Sequence, residues 1–498
     1  MRKTLALAAL AAMATTAASA QTIDLGTTAS PIGLDPHVVT AFSSKLVTDA
    51  IYEGLTDVDA QLRVVPLLAT DWSVSPDGTI YTFTLREGVT FHDGTAMTAE
   101  DVVASLERIR NPDTGSPQAS RIDLIESLEA VDDVTVSIKL KSPFAPFVGE
   151  LANLAIVSKD FVDGGGDLQQ TPVGTGPFKL DRWVPDTALE LVAHDGYWEA
   201  GLPKAERLTY HIVPETATLQ LGLRSGAYDI LPTADAASVV TLENEPGISK
   251  LSTQELSYGL IGFNVTRKPF DDARVREAFN YALNRQEIID VVLFGRGAPG
   301  APLSPALTEW AQPASSFACL EQDPAKSKAL LAEAGYGDGA AVTINVLGIL
   351  PQIVDLAQVV QAQANAAGFQ IELNVQERGE FVQDWKNSNF AAFASLNGGS
   401  IDPDGTYYRT FRSGGSTNVF KYSDARVDEL LDTGRTETDG GKRQAIYGEL
   451  QERLACTGPI AFLSYGDLNA LVRDGVTGFE VHPARNLRSL RQTSVPAD

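Results

Sequence analysis

From residue 21 onward this chain offers no repeat, no low-complexity tract and no linker at which one domain could end and another begin. About 478 residues in one uninterrupted stretch exceed what a single hydrophobic core holds, since cores stop growing at roughly 250–300 residues. Two or three lobes built from interwoven segments are therefore expected, not beads on a string. The first twenty residues read differently. Arg2 and Lys3 precede an apolar run from Leu5 to Met13, and small residues close the stretch at Ala18-Ser19-Ala20. A basic start, a short apolar centre and an A-x-A end form the pattern of a cleavable secretion signal. No other window reaches the roughly 18 apolar residues that a spanning helix needs. The expectation is a periplasmic protein starting near Gln21. Gln21 is not a cysteine, so no lipid tether is expected at that junction.

The formal charge is −25, and it becomes −27 when Arg2 and Lys3 are removed. An acidic surface of this size repels nucleic acid and anionic membrane, so neither is an expected partner. Only Cys319 and Cys456 are present. An exported chain admits a disulfide between them, and two buried free thiols are the alternative. Two cysteines do not make a structural zinc site, and His37, His92, His194, His211 and His482 never fall at ligand spacing. Neither metal nor cofactor is expected.

Local patterns give an α/β chain. Trp72-Ser73-Val74 and Thr79 to Leu85 alternate on either side of Ser75-Pro76-Asp77-Gly78, which predicts a hairpin. Thr98 to Arg110 changes to a helical period, with Thr98 and Asp101 placed for a capping box and Val102, Val103, Leu106 and Ile109 on one face. Further strands are expected at Val134 to Leu140, Lys179 to Trp183 and Ala188 to Ala193. Helices are expected at Ala273 to Leu283, Pro324 to Ala334, Asp355 to Ala367, Ala425 to Thr433 and Lys442 to Leu454, with Gly335 and Gly368 as helix-ending glycines. Strands at Val342 to Leu347 and Gln370 to Val375 flank the third helix and suggest a βαβ unit.

Longer runs carry a resemblance. Val47 to Leu55, Pro66-Leu67-Leu68-Ala69, Asp71-Trp72, Tyr81 to Gly94 and Thr98-Ala99-Glu100-Asp101-Val102 are followed in order by Gly174-Thr175-Gly176-Pro177-Phe178, Phe263-Asn264-Val265, Pro269 to Arg276 and Leu330 to Tyr336. Together they resemble the extracellular solute-binding protein family 5, the dipeptide, oligopeptide and nickel binders that feed ABC importers. The resemblance implies a two-lobed periplasmic binding protein of the Venus-flytrap kind, with an additional domain inserted early in lobe one. Carried over, lobe one is 21–57, 171–262 and 475–498, the inserted domain is 58–170, and lobe two is 263–474. It also implies a monomer that captures a small-molecule solute without catalysis and delivers it to a membrane permease with its partner ATPase.

In peptide-binding members, an Asp three residues before an acidic-Pro pair holds the peptide ammonium. Aligned on Asp402-Pro403, that position is Gly399 here, and the usual preceding tryptophan is Leu396. The stretch Ser395-Leu396-Asn397-Gly398-Gly399-Ser400 therefore points away from ordinary peptides and toward a polar solute, peptide-like, opine-like or sugar-like, with Asp402 or Asp404 able to substitute by a local shift. Asn397 supplies a donor and an acceptor, and Gly398, Gly399 and Ser400 allow close backbone approach. Tyr407 and Tyr408 follow, and Arg409 or Arg412 could clamp a carboxylate; a solvated surface is the other reading of these arginines. The loop Pro36 to Phe42, with Thr40 and Phe42, matches a family loop that lines the cleft, and His37 within it reads as structural. Tyr258 either stacks on solute or packs in the core, and Asn264 either binds solute or holds the hinge. Arg86, His92 and Asp93 fall in the inserted domain and read as structural.

Three rival functions remain. A secreted hydrolase lacks both a G-x-S-x-G elbow and an H-E-x-x-H helix. Gly295-Arg296-Gly297-Ala298-Pro299-Gly300 matches G-x-G-x-x-G, but Pro299 and Pro302 discourage the helix that a dinucleotide site needs, so a loop is expected. A chemosensory receptor without a transport role would use the same cleft. A nickel carrier is disfavoured by the absence of histidine from Ser395 to Ser416.

Overall fold

The computed structural model describes residues 21–496, so the expected leader lies outside the described residues. The two-lobed α/β architecture is organised by one sheet of eleven strands. Its path begins in lobe two with Phe369–Gln376, Ala340–Leu347 and Ala392–Asn397, passes through Ile248–Phe263 and Ile460–Arg473, and continues into lobe one through Ile230–Leu231, Thr22–Thr27, Arg207–Ile212, Ala188–Ala193 and Phe178–Val184. Gly297–Pro299 adds a short strand on Ile460–Arg473, so the G-x-G-x-x-G run is partly a strand rather than a loop.

The two long strands make the passage between lobes. Near Ile248 they pair only with each other and with lobe one, while from Tyr258 the first also pairs with Ala392–Asn397 of lobe two. Between these regions the register shifts. Gln254 faces Asp467 and Tyr258 faces Tyr465, so Glu255, Leu256 and Ser257 stand against Gly466 alone. Such a bulge interrupts the ladder and adds twist, as a joint between two bodies requires. The pairing therefore changes lobe at 255–257 and at 466. The borders expected at 262/263 and 474/475 fall at Phe263 and Arg473, the far ends of these two strands, rather than at the mismatch.

The inserted segment carries a four-stranded antiparallel sheet in the order Ala69–Val74, Ile80–Leu85, Thr135–Leu140, Ile125–Asp132. Tyr81, Phe83 and Leu85 are buried on one face, and Gly78 takes the positive φ of 71° that the turn demands. Helix Ala99–Arg110 starts at the expected capping box, with the Thr98 N–H donating to Asp101 Oδ2 at 2.8 Å. Its Val102, Leu106 and Ile109 join the same core as Ile23, Leu25 and Leu208 of lobe one. The inserted segment thus shares its core with lobe one and is built as part of that body.

In lobe two, Ala340–Leu347 and Phe369–Gln376 are parallel neighbours flanking helix Pro351–Ala366. That helix begins four residues before the expected Asp355, because Pro351 sits in the first turn, where its missing N–H costs nothing. Gly335 and Gly368 have φ of 91° and 103° after their helices. Cys319 and Cys456 are bridged, with Cα atoms 5.6 Å apart, and join the turn Ala318–Leu320 to helix Gly440–Thr457. Among the described residues no helix is long and apolar enough to cross a membrane.

Candidate functional site

Between the inserted segment and lobe two lies a cavity of about 620 Å³. Pro117, Ser120, Arg121, Phe144 and Glu150 line it on one side, and Gly399, Ser400, Asp404, Tyr408, Arg409, Arg412 and Arg435 on the other. Helix Pro403–Phe411 forms the lobe-two wall. Asp402 caps it by accepting from the Asp404 N–H at 2.8 Å, and Pro403 fills its first turn.

The charges on this wall divide into committed and uncommitted groups. Asp402 is committed, since Arg443 grips both its oxygens at 2.6 Å. Arg412 is held by Asp432 at 2.7 and 3.0 Å, and Arg121 by Glu150 at 2.5 Å. Arg435 spans the cavity: its guanidinium lies 4.0 Å from the Tyr408 ring and 4.8 Å from the Phe144 ring, and its carbonyl accepts from the Ala145 N–H at 2.9 Å. Arg409 is exposed and, among the described residues, its guanidinium has no hydrogen-bond or ion-pair partner. Asp404 is 3% exposed, with Oδ1 unpartnered and Oδ2 3.9 Å from Arg435. Burial pushes its carboxyl up to about 7; Arg435 pulls the other way and Asp402 adds to the rise.

The neighbouring strand end is polar. Asn397 donates from Nδ2 to the Tyr258 hydroxyl at 3.0 Å, and burial pushes that phenol up to about 12. Tyr258 is 2% exposed and packs on Phe462 and Tyr465, so its reading as a stacking residue is corrected to core, presenting Asn397. Gly398 has open space where a side chain would begin, whereas a Cβ on Gly399 would stand 2.3 Å from the Leu256 carbonyl oxygen. Gly399 is thus required by the close approach of the segment after Ala392–Asn397 to the first long strand, and no side chain at 399 can reach the cavity on this backbone. Gly399→Ala should lower stability by about 1–3 kcal/mol through overpacking, while Gly398→Ala leaves the melting temperature unchanged. Equal melting temperatures for the two variants would refute this placement.

Two more expectations are corrected. Tyr407 is 0% exposed, enclosed by Phe411 and Tyr447, and does not reach the cavity. Asn264 is buried and braces a turn, with Oδ1 accepting from Thr266 and Nδ2 donating to the Ser388 carbonyl at 3.0 Å. It touches neither cavity nor joint, because it follows the far end of the first long strand. Thr40 lines a side cavity of about 250 Å³ that shares Pro117 and Arg121 with the large one. Phe42 lines another of about 310 Å³ at the joint, with Glu255, Asp467 and Arg485. His37 is structural: its Nε2 lies 2.8 Å from the Ala155 carbonyl, Arg108 donates to Nδ1, and burial holds its pKa down at about 4. Arg86 stacks on Trp198, and His92 bonds to the Gly176 carbonyl, both away from the cavity. Phe144, Glu150 and Arg435 escaped the sequence reading. No local pattern marks them, since only tertiary apposition brings them to the cavity.

A family model described as bacterial extracellular solute-binding proteins, family 5 Middle, matches residues 63–418. The chain belongs to this family. The glutathione-binding protein GsiB of Pectobacterium atrosepticum is 29% identical over 489 residues, covering 96% of this chain and 94% of that protein. HbpA2 from Haemophilus parasuis superposes with a TM-score of 0.87 at 26% identity, over 96% of this chain and 100% of that one. The periplasmic binding protein DppA from Helicobacter pylori, in complex with the peptide STSA, gives 0.77 at 26% identity over 96% and 98%. The family consists of binding proteins for transport, and this solute-binding protein acts as the capture component of an ABC importer.

Proposed function

We propose that this solute-binding protein captures a small peptide-like solute richer in carboxylates than in amines. The solute is taken up in the periplasm and passed unaltered to the importer's permease and ATPase. The observation that carries this reading is Arg409, a guanidinium on the cavity wall with no protein partner among the described residues. An arginine of this kind suits two-pronged binding of a carboxylate. The wall lacks an ammonium-binding side chain at Gly399, and the name of GsiB supports the same class, since glutathione carries two carboxylates and one ammonium.

Calorimetric titration with reduced glutathione and with trialanine tests the charge preference. Glutathione is expected to bind and trialanine to bind at least tenfold more weakly. Arg409→Ala should weaken glutathione binding by roughly 10- to 100-fold, the worth of a charge-assisted hydrogen bond. Unchanged affinity in that variant rejects the assignment. Mass spectrometry of solutes that co-purify, beside a chromogenic hydrolase panel, separates capture from turnover: a product without any retained solute would favour an enzyme.

A further inference from the structure

The charges around the cavity leave one buried group without a role. Arg121 sits on Glu150, Arg443 on Asp402 and Arg412 on Asp432, while Arg435 is stacked between Tyr408 and Phe144. Asp123 lines the cavity too, but it is exposed and solvated. Asp404 is different. Its carboxyl is almost wholly enclosed, one oxygen has no donor, and the other is too far from Arg435 for a hydrogen bond. The groups that act on it are Arg435 and Arg443 as cations, Asp402 and Glu150 as anions, and the neutral phenol of Tyr447. It belongs to the same helix as Arg409, five residues earlier, or about 7.5 Å along the axis at 1.5 Å per residue.

An ionised carboxylate here would meet an anionic solute with like charge in a water-poor site. With a proton it becomes an O–H donor. We propose that Asp404 is a specificity residue that carries a proton in the loaded cleft and donates a hydrogen bond to an anionic solute held by Arg409. Solute and proton are then captured together. The proton comes from solvent, rests on a carboxyl oxygen of Asp404 and returns to solvent on release; no covalent bond forms or breaks. The upward push that burial exerts on this carboxyl, to about 7, agrees with the geometry. The inference rests on the cavity being the solute site and holds for any anionic solute.

The test is titration of wild type and Asp404→Asn with reduced glutathione at about pH 6, 7, 8 and 8.5, each in two buffers of different ionisation heat. Wild type should take up close to one proton per solute at about pH 8, and its Kd should rise roughly tenfold per pH unit above about 7. Asp404→Asn, still a donor, should bind with little dependence on pH beyond that of glutathione itself. A wild-type Kd independent of pH with no buffer-dependent heat overturns the proposal, as does the same slope in both proteins. If glutathione binds neither protein at any pH, the proposed solute class falls, and Asp404 is judged by carbon-13 carboxyl titration of the unliganded protein. A midpoint near 7 then sustains the proposal, and one near 4 overturns it.

Discussion

Serine at both positions 319 and 456 is expected to lower the stability of the protein by about 5 kcal/mol and leave solute affinity unchanged. The bridge closes a loop of 137 residues, so its loss restores a large conformational freedom to the unfolded chain. The buried position adds to the effect. Cys319 is fully enclosed with Tyr281, Ala301, Phe317 and Ala455, where a serine hydroxyl would lack a partner. Solute binding should survive because the bridge lies in a small separate cluster, and none of its residues lines the cavity. Denaturant unfolding of wild type and the double variant, paired with one binding isotherm each, measures both halves. Loss of binding under conditions where the variant is folded would contradict the separation of bridge and site.

Acid should unfold the two halves of the molecule in a definite order. Burial holds His37 and His92 down at about 4, against an ordinary 6.5, and both lie in the body made of lobe one and the inserted segment. A depressed histidine contributes stability that is present above pH 6.5 and is lost as the pH falls toward 4. Each shift corresponds to about 3 kcal/mol, so these two imidazoles together withdraw about 6 kcal/mol from this body across that window, against which the carboxyls of Glu53 and Asp229, raised by burial, act in the opposite sense. Asp404 has the opposite sign. Its carboxyl is raised from an ordinary 3.8 to about 7, so its favourable contribution in lobe two is greatest in acid and is lost as the pH rises through 7. Scanning calorimetry from about pH 7.5 to 4.5 should therefore show the lobe-one body melting progressively earlier, with lobe two holding. His92→Gln should reduce the acid shift of the first transition. A single transition that does not move over this range would rule out the mechanism.

How much of this was legible in the sequence depended on the range of the interaction. The hairpin around Gly78, the capping box of Thr98 and Asp101, and the helix stops at Gly335 and Gly368 are local, and each formed where its residues placed it. Family runs made the two-lobed plan readable. The site was less so. Arg409 was visible as a candidate, yet its freedom could be known only after Arg412, Arg435 and Arg443 had found their partners. Tyr407 and Arg409 stand two residues apart on one helix, and only packing against Tyr447 sends the first inward and the second out. Gly399 read as a vacancy left by a lost aspartate, whereas it answers to the backbone of Leu256, more than a hundred residues earlier.

The mismatch of three residues against one, at Glu255 to Ser257 opposite Gly466, has a mechanical consequence. Because hydrogen-bonded ribbon continues on both sides of it, the halves are expected to swivel there rather than slide, and since Leu256 within the mismatch abuts Gly399 of the cavity wall, a turn at this joint passes directly to that wall. Paired fluorophores across the cavity mouth should report large excursions on loading, while a pair set beside Gly466 stays nearly silent.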